Sequence, residues 1–234
     1  MTDFSHIRAV IFDKDGTLFD FRASWSDATD SLLAQLSGGD PVLALTLAQA
    51  ILYDPVRGGF DPSSPLIAGT LDDALGLLGP HLPDMSRTRL AALMHQSAAE
   101  AQMIAPLPLA PLLDALRATG RELSVATNDS EAAAHLHLKR AGILDAFAHV
   151  LGFDSGYTPK PAPDMLLELA DRAALAPAQV MMVGDSTHDL IAGRAAGMVT
   201  IGVLTGLADR DTLSPHADLV LPDIGHLRAW LGAG

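Results

Sequence analysis

Cysteine is absent from this chain of 234 residues, which excludes disulfide staples and thiolate metal sites. Lysine is nearly absent, occurring only as Lys14, Lys139 and Lys160, and the formal net charge is −13. That balance argues against a nucleic-acid-binding surface. It also means that an anionic ligand would depend on local positive charge that the overall field does not supply, so each lysine matters. No apolar run reaches the length of a membrane span. The opening Met-Thr-Asp-Phe-Ser-His has no signal-peptide pattern, so the expectation is a soluble cytoplasmic protein with no membrane association. Apolar side chains, by contrast, are plentiful. At 49% of residues they suffice for one large domain, or for a core plus a smaller domain, and they argue against disorder.

Residues 7–20 read Ile-Arg-Ala-Val-Ile-Phe-Asp-Lys-Asp-Gly-Thr-Leu-Phe-Asp. The run Val10, Ile11, Phe12 predicts a strand buried on both faces. It ends in Asp13 and Asp15, followed by Gly16 and Thr17. Gly16 allows the backbone a positive φ and hence a sharp turn past the strand's carboxyl end, the edge where open α/β sheets bind ligands. Two crowded carboxylates disfavour each other's ionisation unless a cation neutralises them. Mg²⁺ suits such a place, because it takes oxygen ligands and keeps waters that a substrate phosphate can replace. The same residues also suit a plain strand followed by an Asx-type turn.

After Asp20 the pattern turns helical. Trp25, Ala28, Leu32 and Leu36 share helical spacing before Gly38-Gly39, and Pro41 can open a second helix through Val42, Leu45 and Ile51. A Pro/Gly-rich loop over 54–65 follows. Thr70 with Asp72 and Asp73 predicts an N-cap with acids in the first turn, and Leu90, Leu93, Met94 and Ala101 predict one more amphipathic helix. Four helices without a strand, placed directly after a first strand, predict a separate helical module. From Pro106 and Pro108 onward helices and strands alternate, the mark of a parallel sheet with crossover helices. Strands are expected at 123–127, 149–152, 180–183, 199–203 and, as an edge, 219–221. Helices are expected at 112–116, 131–141, 164–174 and 187–196, with a last one at the terminus.

Polar clusters close several of these strands: Asp13-Lys14-Asp15-Gly16-Thr17, Thr127-Asn128-Asp129, and Gly184-Asp185-Ser186-Thr187-His188-Asp189. Thr158-Pro159-Lys160-Pro161 sets one of the rare lysines between prolines. A parallel sheet would gather these on one rim. Taken singly, each has a plainer reading. Thr127 or Asn128 could cap the next helix, Lys160 could be a solvated loop charge, and Asp185 or Ser186 could be an ordinary N-cap. Four such clusters in one alternating pattern favour a shared site.

These motifs resemble those of the haloacid dehalogenase-like hydrolases, and within them the phosphoglycolate phosphatase-like group with a helical C1-type cap. Asp13 to Thr17 is similar to the first motif, Thr127 with Asn128 to the second, Lys160-Pro161-Ala162-Pro163 to the third, and Gly184-Asp185 through Asp189 to the fourth. The resemblance extends to Gly202-Val-Leu-Thr-Gly206 and Ala217-Asp218. It implies an α/β fold: a Rossmann-like, doubly wound parallel core (1–20 and 106–234) carrying an inserted all-helical cap (21–105).

It also implies chemistry. Phosphoryl transfer needs an in-line nucleophile, neutralised equatorial oxygens and a proton for the leaving group. Asp13 would be the nucleophile, forming an aspartyl-phosphate. Asp15 would protonate the leaving oxygen and then deprotonate the attacking water. Mg²⁺ would be held by the Asp13 carboxylate, the Asp15 backbone carbonyl and the Asp185 carboxylate. Thr127 and backbone N–H groups around Asn128 would bind phosphoryl oxygens, and Lys160 would bridge nucleophile and phosphate. Asp189, outside this shell, would orient Lys160 or a metal-bound water.

The implied activity is Mg²⁺-dependent hydrolysis of a small phosphorylated metabolite, phosphoglycolate first, by a monomer or homodimer. A sugar-phosphate mutase resembling β-phosphoglucomutase and a non-enzymatic phosphate-metabolite sensor are the rivals. Dehalogenases of the superfamily lack an acid at the position of Asp15, so its presence favours phosphate chemistry. The phosphonatase pattern needs a cap lysine, and none lies between Phe21 and Ala105. Phe21 stands where the group usually has a small polar residue, and Pro159 where it often has glycine. The former bears on substrate preference and cap closure. Arg22, Trp25 and Arg57 are the cap candidates for substrate contact. His135 and His137, two apart on a helix, point to different faces and do not predict a metal site; His188 is not required by the motif, and Met181-Met182 reads as strand core.

Overall fold

The computed structural model describes residues 4–61, 64, 66 and 71–232. In chain order the elements are β1 (Ala9–Phe12), α1 (Phe21–Ser37), α2 (Pro41–Ala50), β2 (Tyr53–Asp54), β3 (Gly59–Phe60), α3 (Leu71–Leu78) and α4 (Arg87–Glu100). Then come α5 (Leu109–Ala118), β4 (Glu122–Ala126), α6 (Glu131–Arg140), β5 (His149–Leu151), α7 (Asp164–Arg172), β6 (Val180–Gly184) and α8 (Thr187–Ala196). The chain closes with β7 (Val199–Val203), α9 (Arg210–Leu213), β8 (Leu219–Leu221) and α10 (Leu227–Leu231). Two compact units result: Met1–Phe21 with Ala105–Gly234, and Arg22–Ile104.

The first unit is built on a six-stranded sheet in the order β5-β4-β1-β6-β7-β8. Every pairing in it is parallel. β1 lies between β4 and β6, with Ile11 opposite Ser124 on one side and Met182 on the other. The chain lays strands outward from β1 through β4 and β5, then returns to its other side for β6, β7 and β8. That reversal puts the topological switch at β1, where such sheets open a crevice beyond the strands' carboxyl ends. All residues of β1 are buried, as a strand covered on both faces requires. On one face Ile11, Leu151 and Met182 pack against Met165, Leu166 and Leu169 of α7 and Ala192 and Ala196 of α8. Met181 and Met182 are both fully buried, in keeping with strand core.

Element starts and stops follow local chemistry. Ser130 caps α6, its hydroxyl accepting from Ala133 N at 3.3 Å. The α8 helix ends at Gly197 in the left-handed region, and α6 closes one residue before Gly142, which also has a positive φ. The short α9 was not expected; Asp209 caps it by accepting from Thr212 N at 2.9 Å.

The second unit is helical but not wholly so. Overlapping the start of the expected 54–65 loop lies a short antiparallel pair, Tyr53 opposite Phe60 and Asp54 opposite Gly59. The Asp54 carboxylate accepts from Val56 N and Arg57 N, an Asx-type turn, while the Tyr53 and Phe60 rings pack 4.9 Å apart. A two-residue strand is too short to show alternation, so the pattern of the sequence hid it. Asp40 caps α2, with Pro41 at its first position. Ser86 caps α4. The expected cap at Thr70 lies outside the described residues. Among the described residues, no helix is long and apolar enough to cross a membrane.

Candidate active site

Asp13 leaves the end of β1 still in the ladder, its N–H donating to Val183 O at 2.9 Å. The chain then folds back at once: Leu18 N and Phe19 N donate to Lys14 O, and Gly16 N donates to Phe19 O at 2.7 Å. Gly16 has φ +81, and a Cβ there would overlap the Asp185 carboxylate. Gly206, in the loop after β7, crowds the same carboxylate, and its Cβ would overlap it too. Thr205 Oγ1 donates to Gly16 O at 2.6 Å and ties the two loops together. The Asp185 side chain therefore sits in a cradle that only glycines leave open.

Lys160 arrives from the segment before α7 and is buried. Its ammonium donates to Asp13 Oδ1 and Asp189 Oδ1, each at 2.6 Å, and to Ala126 O at 2.7 Å. A lysine has three N–H donors, so all are spent on protein acceptors. The plain alternative of a solvated loop charge is thereby overturned. Asn128 fixes the backbone beneath it: its amide donates to Lys160 O at 2.9 Å and accepts from Lys160 N at 3.0 Å. Asp189 Oδ2 accepts from Ser186 N and from Ser186 Oγ, leaving its other oxygen to Lys160. Of the two roles foreseen for Asp189, this bonding fits the orientation of Lys160.

Thr127 directly follows β4, buried, and its Oγ1 accepts from Asp129 N at 3.1 Å. It does not cap α6, and neither does Asn128; Ser130 does. Ser186, not Asp185, takes the N-cap position of α8. Asp15 is half-buried beside these groups.

The electrostatics are those of a site short of positive charge. Asp13, Asp185 and Asp189 are buried, with carboxylate oxygens within 4.8 Å of one another. Burial first, then Asp189 and Asp15 against the opposing pull of Lys160, pushes the Asp13 carboxyl up to about 7. Burial and the charges of Asp13 and Asp189 raise Asp185 well above the usual carboxylate range. For Lys160 burial would lower the pKa, but Asp13 and Asp189 outweigh it and raise it. One ammonium cannot balance these acids. An all-oxygen donor set in a glycine-lined cradle fits a hard divalent cation. Asp13, Asp185 and Asp189 are the carboxylates that could hold such an ion.

Other residues singled out from the sequence fall elsewhere. His135 is exposed and His137 buried on α6, which leaves them no common ligand position. His188 is half-buried at the start of α8. Arg22, Trp25 and Arg57 belong to the helical unit. Arg22 lies with its guanidinium against Gly59, and Arg57 pairs with Asp54 at 3.6 Å. Sequence reasoning missed the part played by the Asn128 side chain, and it missed His137 as a buried neighbour of Lys14. The alternation of buried and exposed positions along α6 was the only available signal for the latter.

Comparison with known proteins places this rim in a family. A haloacid dehalogenase-like hydrolase family model matches residues 7–197, a span that includes every rim cluster. The chain is 30% identical over 230 residues to the phosphoglycolate phosphatase of Neisseria meningitidis serogroup A, covering 93% of this chain and 88% of that one. Among solved structures, a predicted phosphoglycolate phosphatase from Haemophilus somnus 129pt matches with a TM-score of 0.73 at 19% identity, covering 96% of this chain and 97% of that one. A HAD family hydrolase from Deinococcus radiodurans R1, solved with bound phosphate and sodium, matches with a TM-score of 0.64 at 25% identity, covering 98% of this chain and 97% of that one. The Haemophilus structure is similar in fold alone; the family model and the Neisseria relative reach further. On their strength, the chain belongs to the haloacid dehalogenase-like hydrolases.

Proposed function

We propose that the protein is a Mg²⁺-dependent phosphatase that hydrolyses small phosphate monoesters through an aspartyl-phosphate on Asp13. The observation that carries this reading is the buried Asp13 carboxylate, bonded to the Lys160 ammonium at 2.6 Å and within 4.8 Å of the Asp185 and Asp189 carboxylates. Such a group is held in a fixed orientation, as a nucleophile for phosphorus needs.

In this reading an Asp13 carboxylate oxygen attacks phosphorus as the bond to the ester oxygen breaks, and protonated Asp15 gives its proton to the departing alkoxide. Asp15, now a carboxylate, then takes a proton from the water that attacks phosphorus; phosphate leaves and Asp13 is restored. Thr127 and the backbone N–H groups near Asn128 are assigned to the phosphoryl oxygens. Lys160 acts as a fixed point charge beside Asp13, since its donors are already engaged. A Mg²⁺ held by the Asp13 and Asp185 carboxylates, with the Asp15 carbonyl, would supply charge neutralisation for the phosphoryl group. The helical unit carries no catalytic group in this scheme and is assigned the choice of substrate, with Arg22, Trp25 and Arg57 as its candidates.

The test is a kinetic screen of purified protein with Mg²⁺ against phosphoglycolate, hexose phosphates, nucleotides and pyrophosphate. Release of free phosphate is expected, with phosphoglycolate preferred, as the name of the Neisseria relative suggests. Isomerised sugar phosphate in place of free phosphate would establish the mutase. No turnover across the panel would leave a sensor.

A further inference from the structure

Behind Asp15 lies a second group of buried charges that the proposed chemistry does not use. Lys14 is fully buried. It follows Asp13 directly, in the turn just past β1. Its Nζ lies 2.6 Å from both Asp15 Oδ1 and Asp15 Oδ2. The same ammonium is 3.2 Å from His137 Nδ1 and 3.2 Å from Asp129 Oδ2.

These neighbours are themselves fixed. His137 is 1% exposed. An ammonium has only donors, so the His137 Nδ1 that it meets serves it as an acceptor. Asp129 is held from both ends: its N–H donates to Thr127 Oγ1 at 3.1 Å, and its Oδ1 accepts from Ser130 N at 2.7 Å. Its Oδ2, buried, accepts no hydrogen bond, so the Lys14 charge is what compensates it. Burial would lower the pKa of Lys14, but the charges of Asp15 and Asp129 outweigh burial and raise it.

Stability is a weak reason for such an arrangement. Taking an ammonium and carboxylates out of water costs several kcal/mol per ion, and a well-packed apolar side chain often does as well or better. The cluster does, however, grip one side chain from both of its oxygens, and that side chain is the proposed proton donor and acceptor. We propose that Lys14 is a positioning residue, whose ammonium, seated by Asp129 and His137, holds the Asp15 carboxylate in a single pose for proton transfer. The inference rests on the role given to Asp15 above. A short carboxylate otherwise samples several rotamers, and displacement of a reacting group by about 1 Å costs on the order of 100-fold in rate.

Two measurements on the full chain test it, using Lys14→Met, which keeps the length and removes the charge. In crystal structures, the Asp15 carboxylate should leave its wild-type pose in the variant; an unmoved Asp15 overturns the proposal whether or not the enzyme is active. In kinetics, kcat/KM should fall roughly 10- to 100-fold for alkyl phosphates, whose leaving oxygen needs a proton, and much less for p-nitrophenyl phosphate. Asp129→Asn should show the same leaving-group dependence with a smaller loss. Equal losses for both classes of ester, or no loss for either, overturn the proposal. If the wild type turns over no ester, the phosphatase reading fails on its own, and the Asp15 pose decides the role of Lys14.

Discussion

The rim of the sheet and the helical unit use charge in opposite ways. At the rim, Lys160 and Asp189 form an ion pair with side chains each 2% exposed. In the helical unit, Arg87 pairs with Asp72 at 59% and 83% exposure, and Arg57 with Asp54 at 87% and 47%. Exposed pairs contribute about 0–1 kcal/mol and are screened by salt. Buried ones carry a large desolvation cost, and breaking one partner away leaves an uncompensated charge. The rim charges are therefore poor stabilisers, whereas those of the helical unit are ordinary surface. The rim divides again. Around Lys160 acids outnumber the ammonium; around Lys14 a buried histidine and a tethered carboxylate complete the set.

The comparison breaks first at Asp13. Asp13→Asn is isosteric, so the fold should persist by circular dichroism while kcat drops by roughly 10⁴-fold or more. Substantial residual turnover would remove Asp13 as nucleophile. Next in size is Asp15→Asn, with a loss of about 10²- to 10⁴-fold on alkyl phosphates and a smaller one on aryl phosphates. A wild-type rate with poor leaving groups would remove its acid role.

The third prediction concerns pH and metal. The folded-state pKa of Asp13, about 7, lies above the ordinary carboxylate value near 3.9. A raised carboxyl pKa means that the fold binds the proton more tightly than the unfolded chain does. Without metal, its stabilising contribution is present below pH ~4 and is lost as pH rises through about 7. A cation replaces those protons, so Mg²⁺ added to chelator-treated protein should raise Tm more near pH 7 than near pH 5. An equal gain at both would count against a metal among these carboxylates. Smallest of all, Arg57→Ala and Arg87→Ala should each change stability by less than about 0.5 kcal/mol in urea melts. A KM change for Arg57→Ala without loss of stability would then mark it as a substrate contact, and a loss of several kcal/mol would show the helical unit to be less surface-like than its charges suggest.

Much of this was legible because the signals are local. A β-branched run stopped by Asp-x-Asp-Gly-Thr announces both β1 and the turn that follows it within a dozen residues, and the later strands, bounded by Gly, Pro and polar clusters, read the same way. The β2–β3 pair and α9 did not, since elements this short lack a period to detect. The Asn128 amide was read only through its backbone, because nothing in Thr-Asn-Asp tells that the side chain will lock the main chain of Lys160. The burial of His137 against Lys14, 123 positions earlier, depends on how α6 docks.

The sequence by itself determined the order of the longer helices and of the strands of the parallel sheet, the poverty of lysine, and the kinds of group that follow those strands. Those properties follow from side-chain chemistry and hydrophobic period, which act over a few residues. Only the tertiary structure decided which lysine meets which acid: Lys160 takes Asp13 and Asp189, and Lys14 takes Asp15 and Asp129. Partner choice is set by the parallel register that brings β1, β4 and β6 to a common edge, and by burial that makes a charge left alone there too costly to keep.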